Sequence, residues 1–193
     1  MKLPKNIKNL QYFAKGKRSI VYIGVYNNKK VAIKTKNPKS EAKGRLENEA
    51  KYLRLLNKHK IGPKLIKSNK DYIIYSFVEG DLFIDYIKKK KEFVILKNIL
   101  EQCRILDKLK INKLEFTHPI KHIFIKNKEV TIIDFERCYK SSNPKNVTQF
   151  CQFLMSSEIF NFKNEEFKRI LIQYKQNQNN KNFNIILKFI SSS

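Results

Sequence analysis

The chain has 193 residues, with 41 Lys+Arg against 17 Asp+Glu, a formal net charge of +24 and 41% hydrophobic residues. A chain of this length favours one domain or two small lobes and buries about 70% of the surface its unfolded form exposes, so a real core is expected. No run is apolar enough to span a membrane, and none follows the basic start Met1-Lys2-Leu3-Pro4-Lys5, so neither an anchor nor a signal peptide is expected.

Cys103, Cys138 and Cys151 are odd in number and lack CxxC spacing. They read as reduced thiols of a cytoplasmic protein, which excludes a disulfide framework and a cysteine zinc site. The basic excess has two readings. One is an anionic partner, an RNA or a ribonucleoprotein. The other is compositional bias, because the excess is nearly all Lys beside abundant Asn, Ile and Phe. Arg, the better residue for bidentate phosphate contacts, stands only at positions 18, 45, 54, 104, 137 and 169.

Leu10 to Ala14 lead into a small-residue loop, Ala14-Lys15-Gly16-Lys17-Arg18-Ser19. Val21 to Tyr26 is β-branched and aromatic and reads as a strand. Asn27-Asn28 is a turn tolerant of positive φ, and Val31 to Lys34 is the return strand. Ser40 is a candidate helix cap. Leu46, Glu49, Ala50, Leu53, Leu56 and Asn57 follow at three- and four-residue spacing, one face of a helix that Gly62-Pro63 stops. Tyr72 to Val78 is a further strand, broken by Glu79-Gly80-Asp81. Leu82 to Ile87 starts a helix, and Lys88 to Lys91 reads as its solvated end.

Phe93 to Leu109 is helical by spacing, and Glu115 to Lys121 is a loop. Ile123 to Ile125 and Val130 to Ile133 read as two short strands joined by a turn at Lys126-Asn127-Lys128-Glu129. Asn143 and Pro144 read as the cap and first residue of another helix. Phe167 to Tyr174 continues helical, Gln176 to Asn182 is a polar linker, and Phe183 to Ile190 is a final apolar turn or two.

Three stretches carry chemistry. The loop matches Gly-x-Gly-x-x-Gly-x-Val at Ala14, Gly16, Ser19 and Val21, keeping only the central glycine, which lets backbone approach a phosphate closely. Lys34 follows Val21 by 34−21=13 residues, a hairpin's length, and Glu49 lies on the inward helix face as its carboxylate partner, with Glu47 as the fallback. Asp134 ends the apolar strand Thr131-Ile132-Ile133 and precedes Phe135-Glu136, where a hard oxygen ligand can hold Mg²⁺.

In this order the residues resemble the phosphate loop, lysine, glutamate and metal-binding aspartate of protein kinases. Together with Thr117-His118-Pro119, Lys121-His122, Ile133 to Cys138 and Pro144 to Phe150, the chain looks like a group of small archaeal predicted serine/threonine kinases. That group is related to the RIO kinases and to the small kinase of the tRNA-modifying KEOPS complex. The resemblance spans roughly residues 10 to 155.

The resemblance implies an α+β, two-lobed fold: a β-rich lobe over residues 1–78 with one helix, and a reduced helical lobe over 79–193. Glu79-Gly80-Asp81 would be the hinge. It implies ATP and Mg²⁺ as cofactors, with Ala14, Gly16, Ser19, Val21, Ala32, Lys34 and Glu49 at the nucleotide and Asp134 on the metal. The substrate is a protein partner or the chain itself. Three departures stand out. Glu136 replaces the usual glycine, which argues against a mobile switch. Counting back, 134−122=12 places His122 at the second metal-ligand position. Thr117 then falls at the general-base position, with His118 beside it as a proton acceptor. His118 and His122 have the i,i+4 spacing of a metal pair, but Pro119 argues against a helix through them. The expectation is an atypical serine/threonine kinase; the alternative is an ATP-binding pseudokinase in a regulatory or ribonucleoprotein-associated role.

Overall fold

From Lys8 to Ser76, on either side of one helix, the chain alternates β-branched and aromatic residues with turn signals, and these stretches fold as strands. These are β1 (Lys8–Lys15), β2 (Ser19–Tyr26), β3 (Lys29–Lys36), β4 (Leu65–Ser68) and β5 (Tyr72–Ser76). They form one antiparallel sheet in the order β1-β2-β3-β5-β4. The structure, a computed structural model, describes residues 6–157, 159, 160 and 162–192. The basic start, read as lacking a signal peptide, therefore lies outside the described residues up to Lys5. Asn27 and Asn28 take φ of 48° and 57°, the left-handed pair that closes a two-residue hairpin. That turn sets the register and puts Val21 directly opposite Lys34.

Strand parity then decides which side chains meet. Val31, Ile33, Tyr72 and Ile74 pack on one face with Tyr22 and Tyr26. Ile73 and Tyr75 pack on the other against Leu46 and Ala50 of α1 (Arg45–Leu56). Lys34 is opposite Ile73 and shares its face, so the lysine is directed toward the helix.

α1 buries Leu46, Glu49, Ala50, Leu53 and Leu56, the stripe expected from spacing, and Tyr52 besides. Its start differs from expectation. Ser40 is not the cap; the helix begins after Gly44, which sits at φ 68° with no side-chain cap bond. Ser40 Oγ instead accepts from Ala42 N–H, a local turn that competes with helix. Its end also comes before Gly62-Pro63. Asn57 stops it, donating to the carbonyls of Ile61 and Pro63 and accepting Leu65 N–H at 2.8 Å.

After this sheet come β6 (Asp81–Leu82), α2 (Phe83–Lys89), α3 (Phe93–Lys108), β7 (Ile111–Lys113), β8 (Ile123–Lys126), β9 (Glu129–Ile132) and β10 (Cys138–Lys140). Helices α4 (Asn146–Ser156), α5 (Glu165–Gln176) and α6 (Asn180–Ser192) complete the chain. The fold is mixed α+β: among the described residues, six α-helices, the five-stranded sheet and two small sheets. None of these helices is long and apolar enough to cross a membrane. No disulfide links Cys103, Cys138 and Cys151, all buried.

The chain groups into two compact units, one up to Glu79 with Thr131–Cys138, the other Gly80–Val130 with Tyr139 onward. The division expected at residue 78 assigns Thr131–Cys138 to the second part. That segment belongs to the first because Phe135 is fully buried there. Its N–H reaches Glu49 Oε1 at 3.4 Å, and Gly62, at φ 78°, leaves the ring room that a Cβ would take.

In the second unit, α4 starts later than its sequence suggests. Asn143 and Pro144 do not open it; Asn146 does. The reason is a cap donated from another helix. Asp107 of α3 is fully buried, and its Oδ1 accepts Asn146 N–H at 3.0 Å and Asn146 Nδ2 at 2.7 Å. Its Oδ2 accepts Val147 N–H and the Tyr174 hydroxyl. A carboxylate at this helix start also meets the positive end of the helix dipole. Glu115–Lys121, expected as a loop, holds two short 3₁₀ turns, Leu114–Thr117 and Pro119–Lys121. Replacing Asp107 with Ala strands all these donors in the core. Asp107→Ala is expected to lower unfolding free energy by about 3–5 kcal/mol and Asp107→Asn by less, as read from urea midpoints.

Candidate functional site

The first unit gathers one ammonium and three carboxylates. Lys34 Nζ lies 2.7 Å from Glu49 Oε2, 3.0 Å from Asp134 Oδ1 and 3.3 Å from Glu136 Oε2. β3 presents the lysine by strand parity, and α1 presents Glu49 from its buried stripe. Asp134 reaches in from a left-handed backbone, φ 64°, a conformation Asp tolerates better than most residues. The side chains of Lys34, Glu49 and Glu136 are 6%, 2% and 7% exposed, whereas that of Asp134 is 28% exposed. Asp134 is thus the one of the three acids that solvent reaches.

Arg18 adds a second cation to the cluster. Arg18 lies 3.4 Å from Glu136 Oε1. The Glu136 carbonyl accepts from the Arg45 guanidinium and from Asn48 Nδ2, and Asn48 also donates to the Cys138 carbonyl. Burial works against the Lys34 charge. Glu49 and Asp134, then Tyr75 and Glu136, outweigh it and hold the ammonium's pKa well above 10.5. Burial pushes the Glu49 carboxyl above its ordinary 4.5; Lys34 opposes that rise, and Asp134 and Glu136 add to it. The Tyr75 hydroxyl is raised by burial and by Glu49.

The small-residue loop closes on itself. Gly16 N–H donates to the Ser19 carbonyl at 2.8 Å. Asn37, just past β3, donates from Nδ2 to the carbonyls of Gly16 and Lys17, and its own N–H reaches the Arg18 carbonyl. Ala14 is exposed in the last residues of β1, Val21 is half-buried opposite Lys34, and Ala32 is buried on β3 opposite Ile23 and Tyr75. Phe13 meets Phe77 edge-on at 5.5 Å, and Lys30 Nζ lies 4.2 Å from the centre of the Phe77 ring.

The structure therefore brings Lys34, Glu49 and Asp134 together. It holds the loop residues Gly16 and Ser19 in the same unit, fixed by Asn37. His118 and His122 belong to the second unit. His118 is exposed, its Nδ1 3.2 Å from the Thr117 carbonyl and its ring edge-on to Phe153. His122 is half-buried just before β8, its N–H on the Pro119 carbonyl. Glu47, the fallback partner for Lys34, is exposed, and Glu49 fills that role.

Sequence reasoning missed Glu136, Arg18, Arg45, Asn48 and Asn37 as site residues. Glu136 had one legible signal, an acid two residues beyond Asp134 in an otherwise apolar stretch. Among the described residues, Glu49, Asp134 and Glu136 are the group of acids with ligand atoms all within 4.8 Å of one another. The Lys34 ammonium already serves as a cation to all three. No protein-family model matches the chain, and no curated protein matches it.

Removing the lysine tests this balance. Lys34→Ala leaves Glu49 and Glu136 buried beside Asp134 and is expected to cost about 3–5 kcal/mol near neutral pH. An acid whose folded pKa is raised loses stability as pH rises from its ordinary value through the folded one. Without Lys34 the Glu49 pKa climbs further, so the variant should regain stability as pH is lowered toward about 5, relative to the unsubstituted chain. Adding Glu49→Gln to Lys34→Met should recover part of the loss. Urea midpoints across a pH series read both effects, and an unchanged midpoint in Lys34→Ala refutes the charge cluster.

Proposed function

We propose that the chain is an ATP-dependent phosphotransferase of the protein-kinase-like kind, transferring the γ-phosphoryl group to a serine or threonine of a partner or of the chain itself. One observation carries this reading: a buried lysine held by a helix glutamate at 2.7 Å and facing a solvent-reached aspartate at 3.0 Å. A fixed ammonium is a point charge for phosphate oxygens. Glu49 and Glu136 hold its position and keep it protonated. The tied loop at Gly16 and Ser19 supplies close backbone and a hydroxyl beside the same strand pair.

The donor set also suits Mg²⁺, which takes oxygen ligands and keeps several waters. Asp134 is the residue to hold it, since Glu49 and Glu136 are buried on the ammonium. When bound there, the ion would neutralise phosphate charge. In the transfer, the bond from the γ-phosphorus to its bridging oxygen breaks and ADP leaves with that oxygen, a bond to the acceptor hydroxyl oxygen forms, and the hydroxyl proton passes to solvent water. Thr117, at the general-base position by resemblance, is exposed and is no carboxylate. A positioned base contributes typically about 10²–10⁴-fold, so a slow enzyme is expected.

That same threonine favours the second reading, an ATP-binding pseudokinase that serves a partner, with RNA or a ribonucleoprotein a candidate given the +24 charge. Two measurements on the full chain separate them. Saturating MgATP at about 100 times Kd should stabilise by about 2.7 kcal/mol, a rise in Tm of about 5–10 °C. Asp134→Asn should abolish the Mg²⁺-dependent part. Transfer of label from γ-labelled ATP to the chain, lost in Asp134→Asn, supports the kinase. Stabilisation without transfer supports the pseudokinase. Neither stabilisation nor transfer overturns both.

A further inference from the structure

The second unit holds a groove of about 810 Å³ between α4 and α5, independent of the Lys34 cluster. Its lining follows helical spacing on both walls. α5 contributes Lys168, Leu171, Ile172 and Lys175 at i, i+3, i+4 and i+7, one face of a helix. Lys145 at the start of α4 and Lys163 ahead of α5 complete a rim of four lysines, and no acidic residue lines the groove among the described residues. Lys168 pairs with Glu165 outside it. Lys145, Lys163 and Lys175 are exposed and make no ion pair among the described residues.

Three side chains of the lining are apolar. Leu171 is buried, Met155 half-buried, and Ile172 is 54% exposed. Gln149 also lines the groove, and its buried Oε1 has no hydrogen-bond partner.

We infer that this groove docks an acidic peptide segment of a partner protein, with an apolar anchor on Met155, Leu171 and Ile172 and carboxylates on the lysine rim. Charge complementarity selects an anionic occupant. The three apolar side chains, Met155, Leu171 and Ile172, select a peptide with an apolar anchor. A single-stranded nucleic acid would be expected to find aromatic or arginine stacking surfaces, and the groove lining contains neither among the described residues. Lysines on the β4 edge beside another cavity, Lys64 and Lys67, have a different explanation: charge on an edge strand blocks strand-to-strand association.

The test is fluorescence polarisation of the full chain with a short labelled peptide of Glu and Asp around a central pair of leucines. Lys145→Glu with Lys175→Glu should weaken binding about tenfold or more, because both reversals meet the peptide's charge. Ile172→Ser, or a peptide without its leucines, should weaken it about threefold to tenfold. Lys64→Glu with Lys67→Glu, a reversal of equal size elsewhere, should change Kd by less than about twofold. All the substituted side chains lie at the surface, and unchanged thermal melts establish that the variants are folded. The inference is overturned if the peptide does not bind, if the control pair weakens it as much as the groove pair, or if removing the leucines has no effect. It is also overturned if an RNA oligonucleotide of equal charge binds more tightly and loses that binding in the groove variants.

Discussion

A lysine ammonium enclosed by three carboxylates is the interaction on which the first unit depends. Burying a charge costs several kcal/mol unless it is paired and hydrogen-bonded. Lys34 meets that demand with contacts of 2.7, 3.0 and 3.3 Å to Glu49, Asp134 and Glu136. Each partner comes from a different structural decision. The Asn27-Asn28 turn sets the register that faces Lys34 toward α1, helical spacing puts Glu49 on the buried stripe, and a left-handed Asp134 bends the 131–138 segment back to the same point. An error in any one of these would leave a charge buried without its partner. The cluster therefore constrains sheet, helix and segment together.

Three acids around one lysine would repel one another, and the structure answers with Arg18 on the Glu136 carboxylate and Arg45 on its carbonyl. Two of the chain's six arginines thus serve an internal charge balance. Arginine suits the task because its planar fork holds geometry that a flexible lysine would not. The global excess of lysine says nothing of this. Net charge describes the surface, whereas the site depends on a few buried groups that nearly cancel.

Much of the hairpin and of the site core was legible because short-range rules decide them. Two asparagines with positive φ closed a hairpin, apolar spacing marked α1 and α3, and an acid on the α1 stripe met the strand lysine. The same kind of rule read Asn127 in the second turn, whose φ is 50°. What was not legible is decided at long range. Ser40 and Asn143 are good caps by type. Yet α1 begins with no side-chain cap at all, and α4 receives its carboxylate from Asp107, 39 residues before Asn146 in sequence. Asn37 and Asn48 look like ordinary polar residues and become staples only when the loop and the 131–138 segment arrive beside them. β4 was missed because Leu65–Ser68 is short and carries the edge, where pairing with β5 supplies what local pattern lacks.

Glu136 shows how one such residue changes the chemistry available. A glycine there would leave the backbone after Phe135 free to turn. Glu136 instead is tied through its carboxylate to Lys34 and Arg18 and through its carbonyl to Arg45 and Asn48. Phe135 is fixed as well, by its N–H on Glu49 and its ring beside Gly62. Moving Asp134 out of the cluster would drag both neighbours and expose charge pairs on either side. The aspartate is therefore held in place before any ligand arrives. Pre-positioned groups lower the ordering cost of binding and add nothing to discrimination by conformational closure. A site built this way has its charges in place without any closure of the 131–138 segment, and its geometry is set by the fold alone.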